Sequence, residues 1–207
     1  MIQSFDPIAE TLNYYESNAK QFYDSTVSID MNDLHKPFLE LLPGGGTILD
    51  AGCGSGRDSK IFIAEGFKVV AFDISPELVK LASNLIGEEV LQLSFSDLRF
   101  ENRFDGIWAC ASLLHVLKTD MRQTLLKLSR ALKQGGVLYA SFKYGNTERI
   151  RRGRHFSDYD EASFDNLLGD LPDLTLIRYW QTIGRKPNSS HDKFLNVLLS
   201  KVMDSKF

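Results

Sequence analysis

The chain has little cysteine, histidine and net charge, and each shortage excludes a class of protein. Its 207 residues include two cysteines, Cys53 and Cys110, which are too few for a disulfide framework. We expect both to be small buried apolar residues in a reducing compartment. The four histidines lack metal-ligand spacing, so no bound metal is predicted. No apolar run approaches the roughly 20 residues that span a bilayer, and we expect no membrane segment.

The overall charge is also small. A net charge of −3 and a pI near 5.8 give no general attraction to nucleic acid or to anionic membranes. Residues 1–10 lack a basic segment followed by an apolar one, so we expect no secretory signal and a cytoplasmic location. The length fits one domain over residues 1–207, with a helical cap at 1–46 and a core at 47–207. A monomer and a homodimer are both compatible with these features.

Strand-like and helix-like segments alternate through most of the chain. Helices are expected near residues 7–24 and 33–42, and five β–α units follow. The predicted strands of these units cover residues 47–51, 67–72, 89–95, 104–110 and 137–144. After a basic loop comes a helix that Asp158 and Glu161 could cap and that packs Phe164, Leu167 and Leu168. Two strands follow, 174–183 and 194–202, joined by a turn at 185–193. This alternation predicts an α/β fold with a doubly wound sheet and helices on both faces.

The most informative stretch is the glycine-rich turn that follows the first predicted strand. Glycines at 52, 54 and 56 let the backbone turn sharply, and the next helix opens with unpaired N–H groups that would face a ligand. Asp50 precedes this turn, and its negative charge favours a cationic ligand over a phosphate. Arg57 stands where the dinucleotide fingerprint has its third glycine, which disfavours a nicotinamide cofactor. A glycine turn that binds nothing is the structural alternative.

The D-x-G-x-G-x-G pattern resembles motif I of class I S-adenosylmethionine-dependent methyltransferases. Its G-C-G-S-G-R-D version is similar to small bacterial proteins of the tellurite-resistance-like and ubiquinone-biosynthesis-like groups. Residues 104–108 and 132–136 resemble two further patterns of these enzymes. The resemblance implies a Rossmann-like fold with a mostly parallel, seven-stranded sheet whose last strand is antiparallel. It also implies the cofactor S-adenosylmethionine, the product S-adenosylhomocysteine, and methyl transfer to an O, N or S nucleophile of a small molecule.

Two acidic residues at predicted strand ends are expected to hold the nucleoside. Asp73 lies 21 positions after Gly52, where a carboxylate accepts hydrogen bonds from both ribose hydroxyls. The resemblance implies that Asp97 accepts the adenine amine and that Ile74 packs against the ring. The N-terminal segment is expected to close over cofactor and substrate through its tyrosines. The full predicted cofactor-binding set is Tyr15, Tyr23, Asp50, Gly52, Gly54, Arg57, Asp73, Ile74, Ser96, Asp97, Leu98 and Cys110.

His115 is the candidate catalytic residue, because it is the sole histidine beside the predicted reaction centre. It is interpreted as a general base or a substrate ligand, with a cofactor contact or a structural role as alternatives. The arginine-rich stretch 149–154 is either a solvated loop or a clamp for a carboxylate or phosphate of the substrate. An anionic acceptor therefore stays an open alternative.

Three other functions compete with this interpretation. A nucleic-acid methyltransferase is disfavoured, because no Asn/Asp-Pro-Pro-Tyr-like run follows the fourth strand and no Pro-Cys nucleophile occurs. A nicotinamide oxidoreductase is disfavoured by Arg57 and Asp97. A regulatory protein that binds S-adenosylmethionine without transferring its methyl group is not excluded by the residues.

Overall fold

The computed structural model describes residues 6–185 and 191–203. Helices α1 to α6 cover Pro7–Thr26, Asn32–Leu39, Arg57–Ala64, Pro76–Ile86, Lys118–Ala131 and Glu161–Leu168. Strands β1 to β9 cover Thr47–Ala51, Lys68–Asp73, Val90–Gln92, Phe104–Ala109, Leu132–Lys143, Glu148–Arg151, Arg154–Ser157, Leu174–Ile183 and Lys193–Lys201. Residues 186–190 of the predicted turn, and residues 1–5 of the N-terminal segment, lie outside the described residues.

The main sheet has seven strands in the order β3-β2-β1-β4-β5-β9-β8. The first five of these pair in parallel, while β9 is antiparallel to both β5 and β8. The central strands are mostly apolar, as expected for strands covered on both faces. One hydrophobic core lies on each face, and Trp108 of β4 stacks on Tyr139 of β5 with ring centroids 3.9 Å apart. The predicted doubly wound fold with an antiparallel last strand is confirmed.

Two strand boundaries differ from the prediction, each for a local reason. β3 stops at Gln92, because Ser94 opens a capped 3₁₀ turn over residues 95–97. β5 begins at Leu132, directly after α5, although the strand was expected to begin at residue 137. Leu132 pairs with Phe104 and Val137 with Gly106, so the intervening residues form a bulge in β5. The Lys-Gln-Gly-Gly segment thus belongs to the sheet.

The stretch predicted as a basic loop is a β-hairpin, so that prediction was wrong. Strands β6 and β7 pair antiparallel and are joined by Arg152 and Gly153, both at positive φ (53° and 72°). Two such residues form the tight turn that matches strand twist. The sequence signal for this hairpin was the Arg152-Gly153 pair, which stands between the two four-residue segments that form β6 and β7.

The helix α1 packs across the carboxyl-terminal edge of the sheet. It is held at one side by β7, where the His155 N–H donates to the Thr11 hydroxyl at 2.9 Å. At the other side Glu16 accepts a hydrogen bond from Ser75, which caps α4. In the described part of the chain, no helix is long and apolar enough to cross a membrane.

Candidate active site

One cavity of about 900 Å³ lies between α1 and the carboxyl ends of the sheet strands. This volume falls in the range that small-molecule ligands occupy in proteins. Its walls come from α1, the glycine-rich turn, the ends of β2 and β4, the β6–β7 hairpin and the end of β8. Ten of the predicted site residues line it: Tyr15, Asp50, Gly52, Gly54, Arg57, Asp73, Ile74, Ser96, Cys110 and His115.

The glycine-rich turn is fastened to the end of β2 by backbone hydrogen bonds. The N–H groups of Gly52 and Cys53 both donate to the Phe72 carbonyl at 2.9 Å, and Gly54 N–H donates to the Asp73 carboxylate at 2.9 Å. Gly52 has φ of +76°, and a Cβ there would lie 2.5 Å from the Ser112 Cβ. A glycine is therefore required by backbone conformation and by packing against the loop after β4. We expected close approach of a ligand as the reason, and the structure shows close approach of protein instead.

Asp73 ends β2 with its carboxylate at the cavity wall. It is buried, accepts the N–H groups of Gly54 and Ser75 at 2.9 and 3.0 Å, and so has a fixed orientation. Burial raises the pKa of Asp73, against the lowering effect of these backbone donors. Ile74 follows it on the same wall. The arrangement suits a carboxylate that accepts hydrogen bonds from neighbouring hydroxyls.

Asp50 reaches the cavity from the end of β1. Its carboxylate is 2% exposed and accepts the Ser59 hydroxyl at 2.6 Å. Burial, helped by the nearby charge of Asp58, raises the pKa of Asp50 above its usual range. A cationic group in the cavity would oppose this shift and favour the charged carboxylate.

Arg57 is held mainly by a neighbouring carboxylate. Its Nε and Nη2 donate to the two oxygens of Asp58 at 2.7 and 2.8 Å, a bidentate pair. The same carboxylate accepts Trp108 Nε1–H at 2.9 Å and lies 2.9 Å from His35 Nε2. Burial alone would raise the pKa of Asp58, but Arg57 and His35 lower it below its usual range. Arg57 thus neutralises a buried acid, and only part of its donor set faces the cavity.

Two residues of the loop after β3 do not reach the cavity. Asp97 turns back to accept the Ser94 N–H at 3.1 Å and the Ser94 hydroxyl at 2.5 Å, and Leu98 is buried in the core. These bonds form a capping box, a short-range interaction that holds the Asp97 carboxylate in the turn. The cavity wall here is instead made by Ser94, Phe95 and Ser96.

The aromatic residues of α1 divide between two faces. Tyr15 and Phe22, seven residues apart, both line the cavity, and their rings meet edge to face at 5.2 Å. Phe22 lies over the turn, 3.1 Å from where a Gly54 Cβ would stand. Tyr23 is not in the cavity wall, since it is rotated by one helical position. The i, i+7 spacing of Tyr15 and Phe22 was the sequence signal that places these two residues on one helix face and Tyr23 on another.

His115 follows β4 in a 3₁₀ turn and is bonded through both ring nitrogens. Nδ1 lies 2.6 Å from the His155 carbonyl, which can only accept, so Nδ1 carries the proton. Nε2 of the neutral ring then accepts the Tyr15 hydroxyl at 2.8 Å. Burial lowers the pKa of His115 to about 3. The imidazole is therefore neutral near pH 7, and its free lone pair is occupied by Tyr15.

The two cysteines are free and pack against the hydrophobic cores, but they are half-buried and also line the cavity, so the expectation of full burial is corrected. Burial raises the pKa of Cys110 to about 12 and that of Cys53 well above its usual value. Neither thiol is a ready nucleophile at neutral pH. Among residues 6–185 and 191–203, no group of three His, Cys, Asp or Glu side chains could hold a metal ion.

Residues 49–140 match the family model described as a methyltransferase domain. This match covers 92 of the 207 residues and shows that the segment is similar to methyltransferase domains. It supports the predicted enzyme class, and the sheet order is the one that the resemblance implies.

Comparison with known proteins adds three similar chains. YqeM of Bacillus subtilis (strain 168), which is named as a methyltransferase, is 32% identical over 67% of this chain and 60% of its own length. A tRNA (carboxymethyluridine(34)-5-O)-methyltransferase of Arabidopsis thaliana is 36% identical over 49% of this chain and 25% of its own. The structure of 1,6-didemethyltoxoflavin-N1-methyltransferase of Burkholderia thailandensis, solved with 1,6-didemethyltoxoflavin and S-adenosylhomocysteine, is 22% identical. It superposes with a TM-score of 0.76 over 98% of this chain and 93% of its own.

The chain thus covers less than two thirds of the length of these two sequence relatives. The structural likeness to the toxoflavin enzyme extends over nearly the whole chain and supports the fold.

Proposed function

We propose that the protein transfers the methyl group of S-adenosylmethionine to an O, N or S nucleophile of a small molecule that carries a negative charge. The observation that carries the proposal is the cavity of about 900 Å³, whose wall includes the acids at the ends of β1 and β2 as well as residues of α1 and of the β6–β7 hairpin. Cofactor and acceptor would share this enclosed space. We propose one domain, with residues 1–46 as its cap.

The residues present fit the cofactor. We propose that Asp73 accepts the ribose hydroxyls, that Asp50 faces the methionine ammonium, and that Ile74, Phe95 and Ser96 contact the adenine. Asp50 supports this assignment, because a buried carboxylate of raised pKa gains most from a cation. The bound cofactor supplies an electrophilic methyl group on a sulfonium.

The protein's own contribution is alignment and exclusion of water. Cys110 and Ala111 follow β4 with small side chains, which leave room for the transferring group. Tyr15 and Phe22 cover the turn and separate the cavity from solvent on the α1 side. Holding two reactants in line in this way accounts for roughly 7–11 kcal/mol of a barrier.

The Tyr15–His115 pair handles the proton when the acceptor is an O–H or N–H group. Because His115 Nε2 is occupied by the Tyr15 hydroxyl, an acceptor proton reaches the imidazole through that hydroxyl. His115 is then a positioning residue and proton relay, and Tyr15 is the group that touches the acceptor.

A nucleic-acid acceptor is the second candidate, because one relative acts on tRNA. The enclosed cavity and the net charge of −3 favour a small molecule. The similarity to tellurite-resistance-like or ubiquinone-biosynthesis-like enzymes, a monomer or homodimer, and a cytoplasmic location stay predictions.

The test uses labelled S-adenosylmethionine and a fractionated metabolite extract, with transfer of label read by mass. We expect label in a small molecule, and binding of S-adenosylhomocysteine measured by calorimetry. Label that appears only in RNA would favour the second candidate. A protein that does not bind S-adenosylhomocysteine would contradict the proposal.

A further inference from the structure

We propose that Arg154 is the residue that recognises the acceptor, by pairing with a carboxylate or phosphate group on it. This inference rests on the proposed function, since it assigns the charged end of the molecule to be methylated.

Three other cations of the hairpin region have acidic partners, whereas Arg152 has none among the described residues and is exposed in the turn. Arg149 pairs with the buried Asp158. Arg151 and Lys143 both pair with Asp192, at 3.1 and 2.7 Å. Their charges are therefore compensated within the protein.

Arg154 differs from these residues. Among the residues that the structure describes, no carboxylate lies within ion-pair distance of its guanidinium, although it lines the cavity. Its Nε is buried and has no hydrogen-bond partner. Arg154 as a whole is half-buried, and a partly desolvated cation without a compensating charge is costly, so an anion in the cavity would bind there favourably.

The guanidinium is also held in place. It lies 4.4 Å from the ring centroid of Tyr14 and 5.2 Å from that of Phe156. These aromatic contacts fix the plane of the side chain at the wall without using its charge on an acid. A fixed planar fork of donors is suited to carboxylate and phosphate oxygens.

Arg154 is close to the proposed reaction centre. Its Cζ lies 5.9 Å from the centroid of the Tyr15 ring. Burial raises the pKa of Tyr15, and the positive charge of Arg154 opposes this shift. An acceptor whose anionic group binds Arg154 would thus have its nucleophile near Tyr15. This explains how the hairpin, an addition beside the main sheet, selects the substrate.

The test measures binding of benzoate, phenyl phosphate and benzamide to protein saturated with S-adenosylhomocysteine. We expect at least one of the two anions to bind and benzamide to bind at least tenfold more weakly. The Arg154→Gln substitution should lower the affinity for that anion at least tenfold. Arg122→Gln, which removes an exposed arginine on α5, is the charge-matched control and should bind like wild type. Benzoate and phenyl phosphate distinguish the two anion chemistries.

Should Arg154→Gln fail to fold, Arg154→Lys retains the charge without the planar fork and should bind the anion several-fold more weakly than wild type. Equal binding of anions and benzamide, or unchanged anion binding in both variants, would overturn the proposal. So would an equal loss of S-adenosylhomocysteine affinity in Arg154→Gln, since Arg154 would then hold the cofactor. Failure of the wild-type protein to bind S-adenosylhomocysteine would instead count against the proposed function.

Discussion

The cofactor side and the acceptor side of the cavity are built in different ways. On the cofactor side, Asp50, the glycine-rich turn and Asp73 come from 24 consecutive residues and are joined by backbone hydrogen bonds. On the acceptor side, Tyr15, His115 and Arg154 come from three distant segments and meet through side chains. The first side is fixed by local geometry and the second by tertiary packing. Substitutions should therefore separate cofactor binding from acceptor turnover.

The largest effect should come from removing one hydroxyl on the acceptor side. Tyr15→Phe keeps the ring but deletes the group that bridges the acceptor to His115. For an O–H or N–H acceptor we expect turnover to fall about 100-fold, with the affinity for S-adenosylhomocysteine unchanged.

Steady-state kinetics on the acceptor found by labelling, together with calorimetry, measure both quantities. Tyr23→Phe, which changes a tyrosine of α1 outside the cavity wall, is the matched control. Unaltered turnover of Tyr15→Phe would remove the pair from the reaction.

On the cofactor side, Asp73→Asn should do the reverse. Loss of a charged acceptor for the ribose hydroxyls costs roughly 1.5–3 kcal/mol. The affinity for S-adenosylhomocysteine should therefore fall at least tenfold. Calorimetric titration measures the dissociation constant, and Asp173→Asn, exposed and outside the cavity wall, should bind normally. A dissociation constant equal to that of wild type would exclude Asp73 from the site.

The rigidity of the cofactor side can be tested at Gly52. Gly52→Ala introduces a Cβ at φ of +76° and 2.5 Å from the Ser112 Cβ, so we expect the free energy of unfolding to fall by about 1–3 kcal/mol. Urea unfolding measures the change. The Gly52→Ala, Ser112→Gly double variant should recover the stability lost through the steric clash with Ser112. It should keep the loss that comes from the positive φ at position 52. If the double variant is no more stable than the single one, the close contact is not the cause.

The smallest effect concerns acid stability on the acceptor side. His115 has a pKa of about 3 in the folded protein and about 6.5 when unfolded. Below pH 6.5 the unfolded chain therefore binds a proton that the folded chain does not. The free energy of unfolding should therefore decrease as the pH is lowered from 6.5 towards 3, by up to about 1 kcal/mol per pH unit.

Urea unfolding at pH 6 and pH 5 measures this slope. His115→Gln should make it shallower, whereas His191→Gln, which changes an exposed turn histidine, should leave it unaltered. Equal slopes in all three proteins would contradict the lowered pKa.

Much of the cofactor side was predictable because its signals are short in range. The β–α alternation, the positive-φ glycines and the acid at the end of β2 each follow from a few adjacent residues. The same locality led to the prediction that Asp97 contacts the adenine, whereas the structure leaves Asp97 outside the cavity wall. Its position in the chain matches a strand end, but its carboxylate is captured by Ser94 three residues earlier.

The acceptor side could be anticipated only in part. The sequence singled out His115 and the arginines of 149–154. It did not contain the information that Arg149 and Arg151 find acids while Arg154 faces aromatic rings. Those acids, Asp158 and Asp192, come into contact only when the hairpin and the β8–β9 strands are assembled.

The sequence by itself determined the doubly wound sheet and the glycine-rich turn, because both depend on hydrophobic periodicity and on backbone conformations that glycine adopts readily. It also pointed to S-adenosylmethionine through the charges that follow the strands. The tertiary structure decided which glycine faces protein, which aromatic residues of α1 line the cavity and which half-buried arginine is left without an acid. Those outcomes depend on packing between segments up to about 140 residues apart, from Thr11 to His155, and local patterns do not record such contacts.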